Sequence, residues 1–253
     1  MLNIWVLGPE TDNEDSDGDD KLDTREKRKL TETEDNDQPK KKKKRKKTKM
    51  SDVVAREDTE ALSPQQLIDA INKQLHSKLS PVEFDEIQLS DKHFCACGSH
   101  NSGLAAYFKS VAPTWEKMLK KVKDHKGSPL VLIVTSAATR ATDLIRDLKD
   151  VKTKKCKIAK LFAKHIKLKE QEKLLQKSTV HIGVGTPNRM QALLDSGSLS
   201  LKQTKLVLLD WTWRDLKLRR LIDVPETRTD LWSLLTSHVI PGVKKGHMHI
   251  GLY

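Results

Sequence analysis

The chain has 253 residues and a formal net charge of +12, from 47 lysines and arginines against 35 aspartates and glutamates. This charge predicts a polyanionic partner, most often nucleic acid for an intracellular protein, with a merely solvated lysine-rich surface as the alternative. Three cysteines are too few for a disulfide framework, and no apolar run is long enough to cross a bilayer. We therefore expect neither a disulfide-rich secreted protein nor a membrane protein.

Residues 1–60 are predicted to form a disordered charged tail, because they offer few apolar side chains for a core. Thr11 and Ser16 lie in its acidic part and suit an acid-directed kinase; an unmodified acidic tail is the alternative. We interpret the basic run that follows as a nuclear import signal bound by an import receptor, with RNA contact as a by-product and a linker without a role as the alternative. This run comprises Lys40, Lys41, Lys42, Lys43, Lys44, Arg45, Lys46 and Lys47.

Residues 61–92 are predicted to form a helical lead-in to the core. Ser63 precedes a proline at the first helical position and a glutamine, Gln66, at the third, which is the pattern of a capping box. A second start signal begins at Ser80. Apolar residues at helical spacing predict one buried face behind the first signal: Leu67, Ile68, Ile71 and Leu75.

A core domain is predicted over 93–253, beginning with a strand over 93–97. Gly98 and Gly103 follow this strand with the spacing of a phosphate-binding loop. Such a loop continues with a lysine for the β- and γ-phosphates and a hydroxyl for magnesium, but here a leucine and an alanine follow. The two glycines therefore predict only a vestigial nucleotide site, without a bound cofactor.

A cluster of histidines and cysteines in the same segment offers a second interpretation, since four such residues within eight positions suit zinc. Structural zinc sites generally use two knuckles separated by a longer loop, and no second pair of ligands follows here. If the segment is a strand, Cys95 and Cys97 share a face with His93 and are small core residues. We predict no metal site, with zinc as the alternative for His93, Cys95, Cys97 and His100.

Buried strands then alternate with amphipathic helices, which is typical of a parallel α/β sheet. A helix over 106–119 is expected to break near Pro113. An apolar strand over 130–135 runs into a helix that Ser136 is expected to cap. A third strand is predicted over 156–162, and a lysine-rich helix follows it.

The central stretch of the core begins with a buried strand predicted over 180–184. A Gly-Thr-Pro-Asn-Arg turn comes next, in which Thr186 is expected to cap the following helix. The free N–H groups of that helix start and Arg189 would face an anion. A second buried strand over 206–209 ends on Asp210. Together these elements predict a parallel nucleotide-binding α/β fold.

The order and spacing of these elements resemble the first core domain of DEAD-box RNA helicases over roughly 98–253, which implies a single RecA-like parallel sheet flanked by helices. In that family a Thr-Pro-Gly-Arg turn touches RNA; here Asn188 replaces the glycine. A second turn of the family holds RNA phosphates with a Thr-Arg pair, which matches 139–140; an ordinary helix surface is the alternative for that arginine. The resemblance implies an RNA-phosphate site made of Thr139, Arg140, Gly185, Thr186 and Arg189.

The acidic motif of the helicases has become Asp210-Trp211-Thr212-Trp213, so a tryptophan replaces the glutamate that orders the attacking water. Neither the phosphate-loop lysine nor a second helicase domain is found in the chain. The resemblance therefore implies a pseudo-helicase without ATPase activity or cofactor, whose vestigial nucleotide site consists of Gly98, Gly103 and Asp210. For Trp211, Trp213 and Trp232 we favour a packing role over a stacking platform for RNA bases.

The stretches Ser99–Gly103, Ser136–Arg140 and Gly185–Arg189, with the acidic-then-basic tail, resemble the Cms family of small-ribosomal-subunit-associated proteins. That helicase-like group lacks ATPase motifs. The resemblance implies a monomeric nuclear and nucleolar factor that accompanies 90S-type small-subunit precursors and binds pre-ribosomal RNA and ribosome-assembly proteins. A nucleolar protein-interaction scaffold with incidental RNA contact is the alternative. The first eight residues do not resemble that family's start, and we interpret them as an alternative start.

Overall fold

The computed structural model describes residues 6–7, 63–76, 79–98, 103–121, 126–151, 153 and 155–253. The import run at 40–47, the kinase sites Thr11 and Ser16, and His100 lie outside these residues. The same holds for the predicted disorder of the tail, apart from residues 6 and 7, which form a short strand.

A sheet of six strands forms the centre of the described structure. The strands are β1 (Val6–Leu7), β2 (Val131–Val134), β3 (Ile158–Leu161), β4 (Ile182–Gly185), β5 (Leu206–Leu209) and β6 (His249–Leu252). Their order is β1-β3-β4-β2-β5-β6, and all neighbours pair in parallel except β1, which pairs antiparallel with β3. The five parallel strands, with β2 between strands that come later in the chain, confirm the predicted single RecA-like α/β fold.

Helices cover both faces of this sheet, because its central strands are apolar on both sides. The helices are α1 (Pro64–Leu75), α2 (Pro81–Ile87), α3 (Gly103–Val111), α4 (Trp115–Lys121), α5 (Ala138–Asp147), α6 (Leu168–Lys177), α7 (Pro187–Asp195), α8 (Pro225–Leu234) and α9 (Ile240–Lys244). Residues of α1, α7 and α8 pack with Leu132, Val134 and Leu209 on one face, and residues of α3, α4 and α5 pack with Val131, Ile133 and Leu208 on the other. Within the described ranges no helix is long and apolar enough to span a membrane.

The predicted strand over 93–97 is wrong. Asp91–His93 is a short 3-10 turn, and only Phe94 forms a parallel bridge, to Ile250. The segment still follows the free side of β6, since the N–H groups of Cys95 and Gly98 donate to the carbonyls of Ile250 and Leu252, both at 2.8 Å. These two donors are three residues apart instead of the two of a regular strand, and the carbonyl of Ala96 accepts from the hydroxyl of Tyr107 (3.0 Å), so no regular ladder forms.

The helix starts agree only in part with the predicted caps. The first lead-in helix has its predicted buried face, but Ser63 makes no side-chain capping bond. Ser80 forms a full capping box with Glu83, whose N–H donates to the serine hydroxyl at 3.3 Å. Ser136 does not cap α5, because that helix begins at Ala138 and the residue at the cap position is Ala137.

The remaining elements match the predictions closely. The helix break at Pro113 is confirmed, since α3 ends at Val111 and α4 begins at Trp115. β5 has the predicted bounds, while β3 and β4 are shorter or shifted by one or two residues. The last helices join through a π-helical turn, Leu235–Val239, before β6.

Candidate nucleic-acid interface

The three central strands of the sheet end beside one another, and each is followed by a polar residue. β2 leads to Thr135, β4 to Thr186 and β5 to Asp210. Because the strands are parallel, these residues lie at one edge, the carboxyl edge, where α/β folds bind ligands. The turns that carry Arg140 and Arg189 start from the same edge. The fold therefore brings the two predicted phosphate-contacting turns together.

Asp210 follows β5 at this edge, and its neighbours bind both oxygens of its carboxylate. Its side chain is buried, and both of its oxygens accept hydrogen bonds. Arg140 donates from Nη2 to Oδ1 (2.9 Å) and from Nε to Oδ2 (3.0 Å), and the hydroxyl of Thr135 donates to Oδ2 (2.7 Å). This bidentate geometry is the strong form of an arginine–carboxylate pair.

Arg140 is held on several sides, although the sequence indicated a phosphate-binding arginine. Its side chain is only 12% exposed, and the guanidinium carbon lies 5.4 Å from the centre of the Trp213 ring. Burial by itself would lower the pKa of this guanidinium, but hydrogen bonding and charge attraction from Asp210 outweigh it and raise the pKa. An RNA phosphate at Arg140 would therefore compete with a buried carboxylate. Its neighbour Thr139 is exposed.

Gly185 and Thr186 also make contacts inside the sheet. A Cβ atom at Gly185 would overlap the carbonyl oxygen of Leu161 on β3. The N–H of Thr186 donates to that same carbonyl at 3.1 Å, so the close approach of β3 and β4 allows this backbone hydrogen bond. Thr186 occupies the predicted N-cap position of α7, but its side chain makes no capping bond. Close packing against β3 therefore explains why position 185 is a glycine. The predicted RNA contact of Gly185 stays a prediction.

Arg189 lies on the first turn of α7 and reaches the loop that follows β3. Its Nη1 donates to the carbonyl of Ile166 (3.0 Å) and to the side-chain oxygen of Gln171 (2.8 Å). Partial burial lowers the pKa of this guanidinium, which still remains charged at neutral pH. In contrast to Arg140, its partners are neutral, so its positive charge is not cancelled.

Lysines that were not predicted as site residues lie near Arg189. Residues 155–177 contain eight lysines and two glutamates. Lys164 and Lys167 are exposed on the loop next to Ile166, at the carboxyl edge. We call Lys164, Lys167 and Arg189 the basic edge. The high lysine density of the segment is the signal that points to it.

The vestigial nucleotide site is only partly described, because residues 99–102 of the glycine loop lie outside the described ranges. Gly103 begins α3 with a positive φ of 72° and lines an open cleft of about 530 Å³ together with Arg140 and Tyr253. The next residue, Leu104, is completely buried where a phosphate loop would present its lysine. Gly98 lies against the ring of Tyr107. Asp210 is near this cleft only through its pair with Arg140.

The tryptophans confirm the packing interpretation for two of the three positions. Trp211 and Trp232 are buried in the core on the α1 side of the sheet. Trp213 is partly exposed and covers Arg140, so it also has an internal partner. A stacking platform for RNA bases would need exposed ring faces, which Trp211 and Trp232 do not offer.

The cysteine and histidine segment shows no metal geometry in the part of the chain that is described. No group of three His, Cys, Asp or Glu side chains there is arranged to hold a metal ion. Cys95 and Cys97 are free thiols of intermediate exposure that pack at the margins of the core. Burial, and then the charge of Cys97, raises the pKa of Cys95 to about 11; burial also raises the pKa of Cys97.

Alkylation of Cys95 in the native protein is expected to be slow at pH 8. A thiol with a pKa of about 11 is roughly 0.1% thiolate at that pH, whereas a free thiol is about one-quarter thiolate. We therefore expect iodoacetamide to react on the order of 100-fold more slowly at Cys95 than in the chain denatured by guanidinium. Peptide mass spectrometry over a time course measures this ratio. Equal rates in the two states would contradict the raised pKa of Cys95.

Comparison with known proteins gives consistent family matches. A family model, CMS1, described as the U3-containing 90S pre-ribosomal complex subunit, matches residues 10–253. Protein CMSS1 of Xenopus laevis is 39% identical over 204 residues, which cover 81% of this chain and 73% of that protein. Protein CMSS1 of Homo sapiens is 38% identical over 205 residues with the same coverage. Protein cms1 of Schizosaccharomyces pombe is 30% identical over 193 residues, covering 73% and 68%.

Solved structures give more distant matches. A DEAD box protein from the hyperthermophile Methanococcus jannaschii aligns over 77% of this chain with a TM-score of 0.46 and 22% identity. The yeast DEAD-box splicing factor Prp28 aligns over 75% with a TM-score of 0.45 and 16% identity. The chain spans less than half of each of these proteins, 48% and 43%.

Proposed function

The chain belongs to the CMS1 family, described as the U3-containing 90S pre-ribosomal complex subunit, and from this premise we propose that it is a non-catalytic RNA-binding subunit of such particles. Ribosome biogenesis is then its process, and pre-ribosomal RNA and ribosome-assembly proteins are its partners. The nucleolus is its place of action. The net charge of +12 supports a polyanionic partner.

The absence of catalysis is supported by the side chains at the carboxyl edge. Phosphoryl transfer needs an acidic residue free to hold a metal ion, a lysine at the phosphates and a group that orders water. Here both oxygens of Asp210 are bound by Arg140 and Thr135. The buried side chains of Leu104 and Trp211 stand at the sequence positions of the other two groups. These residues fit a binding edge better than an ATPase site.

The observation that carries the RNA proposal is the basic edge. Arg189 is held by two neutral acceptors, so its charge remains available to a phosphate. Lys164 and Lys167 project from the loop that Arg189 holds in place, and both are exposed. The free N–H groups in the first turn of α7 have no intrahelical acceptor, and such a helix start favours a bound anion. Three cations beside a helix start make a phosphate-contacting surface without any catalytic group.

RNA binding against salt concentration tests this proposal in the full chain. We expect Lys164→Ala/Lys167→Ala/Arg189→Ala to weaken binding of a single-stranded RNA about 10-fold or more at 150 mM KCl, because three phosphate contacts are lost. The slope of log affinity against log salt should become shallower by about 2, at roughly 0.7 per contact on a single strand. Fluorescence anisotropy between 50 and 300 mM KCl measures both quantities.

A charge-matched control separates a defined interface from net charge. Lys126, Lys202 and Lys205 are exposed near the opposite, amino edge of the sheet. The triple alanine variant at these positions has the same net charge as the basic-edge variant, and both variants keep the lysine tail. We expect it to bind RNA within about 2-fold of the wild type. If both variants lose affinity equally, or neither does, the basic edge is not the interface and the RNA part of the proposal fails.

A further inference from the structure

The loop between β5 and α8 exposes two leucines that are two positions apart in the chain. Leu216 is 77% exposed and Leu218 is 46% exposed. Val82, on α2, is the other large apolar side chain that stands out among the described residues, at 72%. A single exposed leucine is ordinary, but two on one short turn form an apolar projection. We call residues 214–220 the leucine loop.

The leucine loop is held in a defined shape by Asp215. Its Oδ1 accepts from the N–H groups of Lys217 (2.8 Å) and Arg219 (3.0 Å), and its Oδ2 accepts from Nε (3.0 Å) and Nη2 (2.7 Å) of Arg219. The N–H of Leu218 also donates to the carbonyl of Asp215 at 2.9 Å. Burial raises the pKa of Asp215, but hydrogen bonds from Arg219 outweigh it, so the pKa lies below its usual value. The carboxylate is therefore ionised when it holds the turn.

The same network places Leu218 in an unfavourable backbone conformation. Its φ is +60°, in the left-handed region that a γ-branched side chain without a polar group seldom adopts. This strained loop leaves the Leu218 side chain about half exposed to solvent. A loop that is shaped before it meets a partner loses less conformational entropy on binding.

Charge surrounds the two leucines and limits the kind of partner. The loop carries Arg214, Lys217, Arg219 and Arg220 against one acid, Asp215. Arg219 is paired with that acid and Arg220 with Asp223 at 3.2 Å. Arg214 also has partners, among them the carbonyl of Leu218 at 3.4 Å, so most of this charge is already engaged. Lys217 is exposed between the leucines. An apolar tip that carries the exposed Lys217 between its leucines complements an apolar pocket with carboxylates on its rim.

Leucine side chains favour a protein partner over RNA. RNA-binding surfaces gain affinity from cations at phosphates and from aromatic faces on bases, and a leucine supplies neither. We propose that the leucine loop docks into an apolar, acid-rimmed pocket on a protein component of the precursor particle. This inference rests on the proposed function for the choice of particle. The basic edge and the leucine loop then contact different partners of one assembly.

Binding of the full chain to purified 90S pre-ribosomal particles tests the docking. We expect Leu216→Ser/Leu218→Ser to lower particle affinity about 10-fold or more, while its affinity for free single-stranded RNA stays unchanged. Val82→Ser is the matched control, since it removes an equally exposed apolar side chain elsewhere, and it should bind as the wild type does. Unchanged particle affinity in the double variant overturns the proposal.

Site-specific cross-linking identifies the class of partner. Benzoylphenylalanine placed at position 216 is expected to cross-link to a particle protein, within a peptide that contains apolar residues and at least two carboxylates. Cross-links to RNA, or none, overturn the docking proposal. The RNA-binding proposal is tested separately, by the affinity of the basic-edge variant for free RNA. The two proposals are therefore contradicted by different measurements.

Discussion

Replacing Asp210 by alanine is expected to lower the free energy of unfolding by about 3–5 kcal/mol, which is the usual cost of breaking a buried ion pair by removing one partner. The change leaves the Arg140 guanidinium, 12% exposed, without its carboxylate. It also removes the acceptor of the buried Thr135 hydroxyl. Urea unfolding followed by circular dichroism measures the loss. Since whole domains are stable by only about 5–15 kcal/mol, it should be evident in the midpoint.

Two further variants determine whether the loss comes from an uncompensated charge. Arg140→Ala should cost a similar amount, because it leaves the carboxylate of Asp210 buried alone. The combined variant Thr135→Val/Arg140→Met/Asp210→Leu removes every member of the network and should fall within about 1–2 kcal/mol of the wild type. A cost below about 1 kcal/mol for Asp210→Ala would show that the carboxylate is not a buried charge in solution.

Gly185→Ala is expected to destabilise the protein by about 3 kcal/mol or more, from overpacking and a broken backbone hydrogen bond together. The added Cβ would overlap the backbone of Leu161, which a rotamer change cannot move. Relief requires β3 and β4 to separate, and this breaks the bond from the N–H of Thr186 to the Leu161 carbonyl. Thermal and urea unfolding of the variant measure the cost.

Gly183 provides the matched control on the same strand. A Cβ there would meet the methyl ends of Leu161 at 2.7 Å and Leu132 at 3.0 Å, and these are side chains that can shift. We expect Gly183→Ala to cost about 1 kcal/mol, at the low end of overpacking. Equal costs at the two glycines would mean that strand separation is not the reason for Gly185. A lower RNA affinity of folded Gly185→Ala would instead support its predicted phosphate contact.

Much of the fold follows from local pattern. The apolar run over 206–209 became β5 at its predicted bounds, because it is bounded by polar residues on both sides. Pro113 separates α3 from α4, as the missing N–H and the ring sterics require. The strand over 93–97 was predicted wrongly, since its position at one side of β6 and the bond from Tyr107 to Ala96 depend on distant residues.

The candidate site divides in the same way. The two turns that carry Arg140 and Arg189 were readable as short motifs, and their meeting at one edge follows from parallel strands. The hydrogen-bonding partners of the two arginines could not be predicted from the sequence. Asp210 lies 70 positions beyond Arg140 in the chain, and the sequence alone gave no reason to pair them. Apolar side chains generally favour burial, so the exposure of Leu216 and Leu218 is seen only in the structure.

The sequence by itself determined the class of this protein, a basic chain with a parallel α/β core. These properties depend on composition and short spacings, which act locally. The tertiary structure decided which cations remain available at the carboxyl edge. Arg140 is neutralised by Asp210, whereas Arg189 is held by a carbonyl and an amide. Such pairings depend on how the strands are ordered in the sheet, since that order brings residues far apart in the chain within hydrogen-bonding distance.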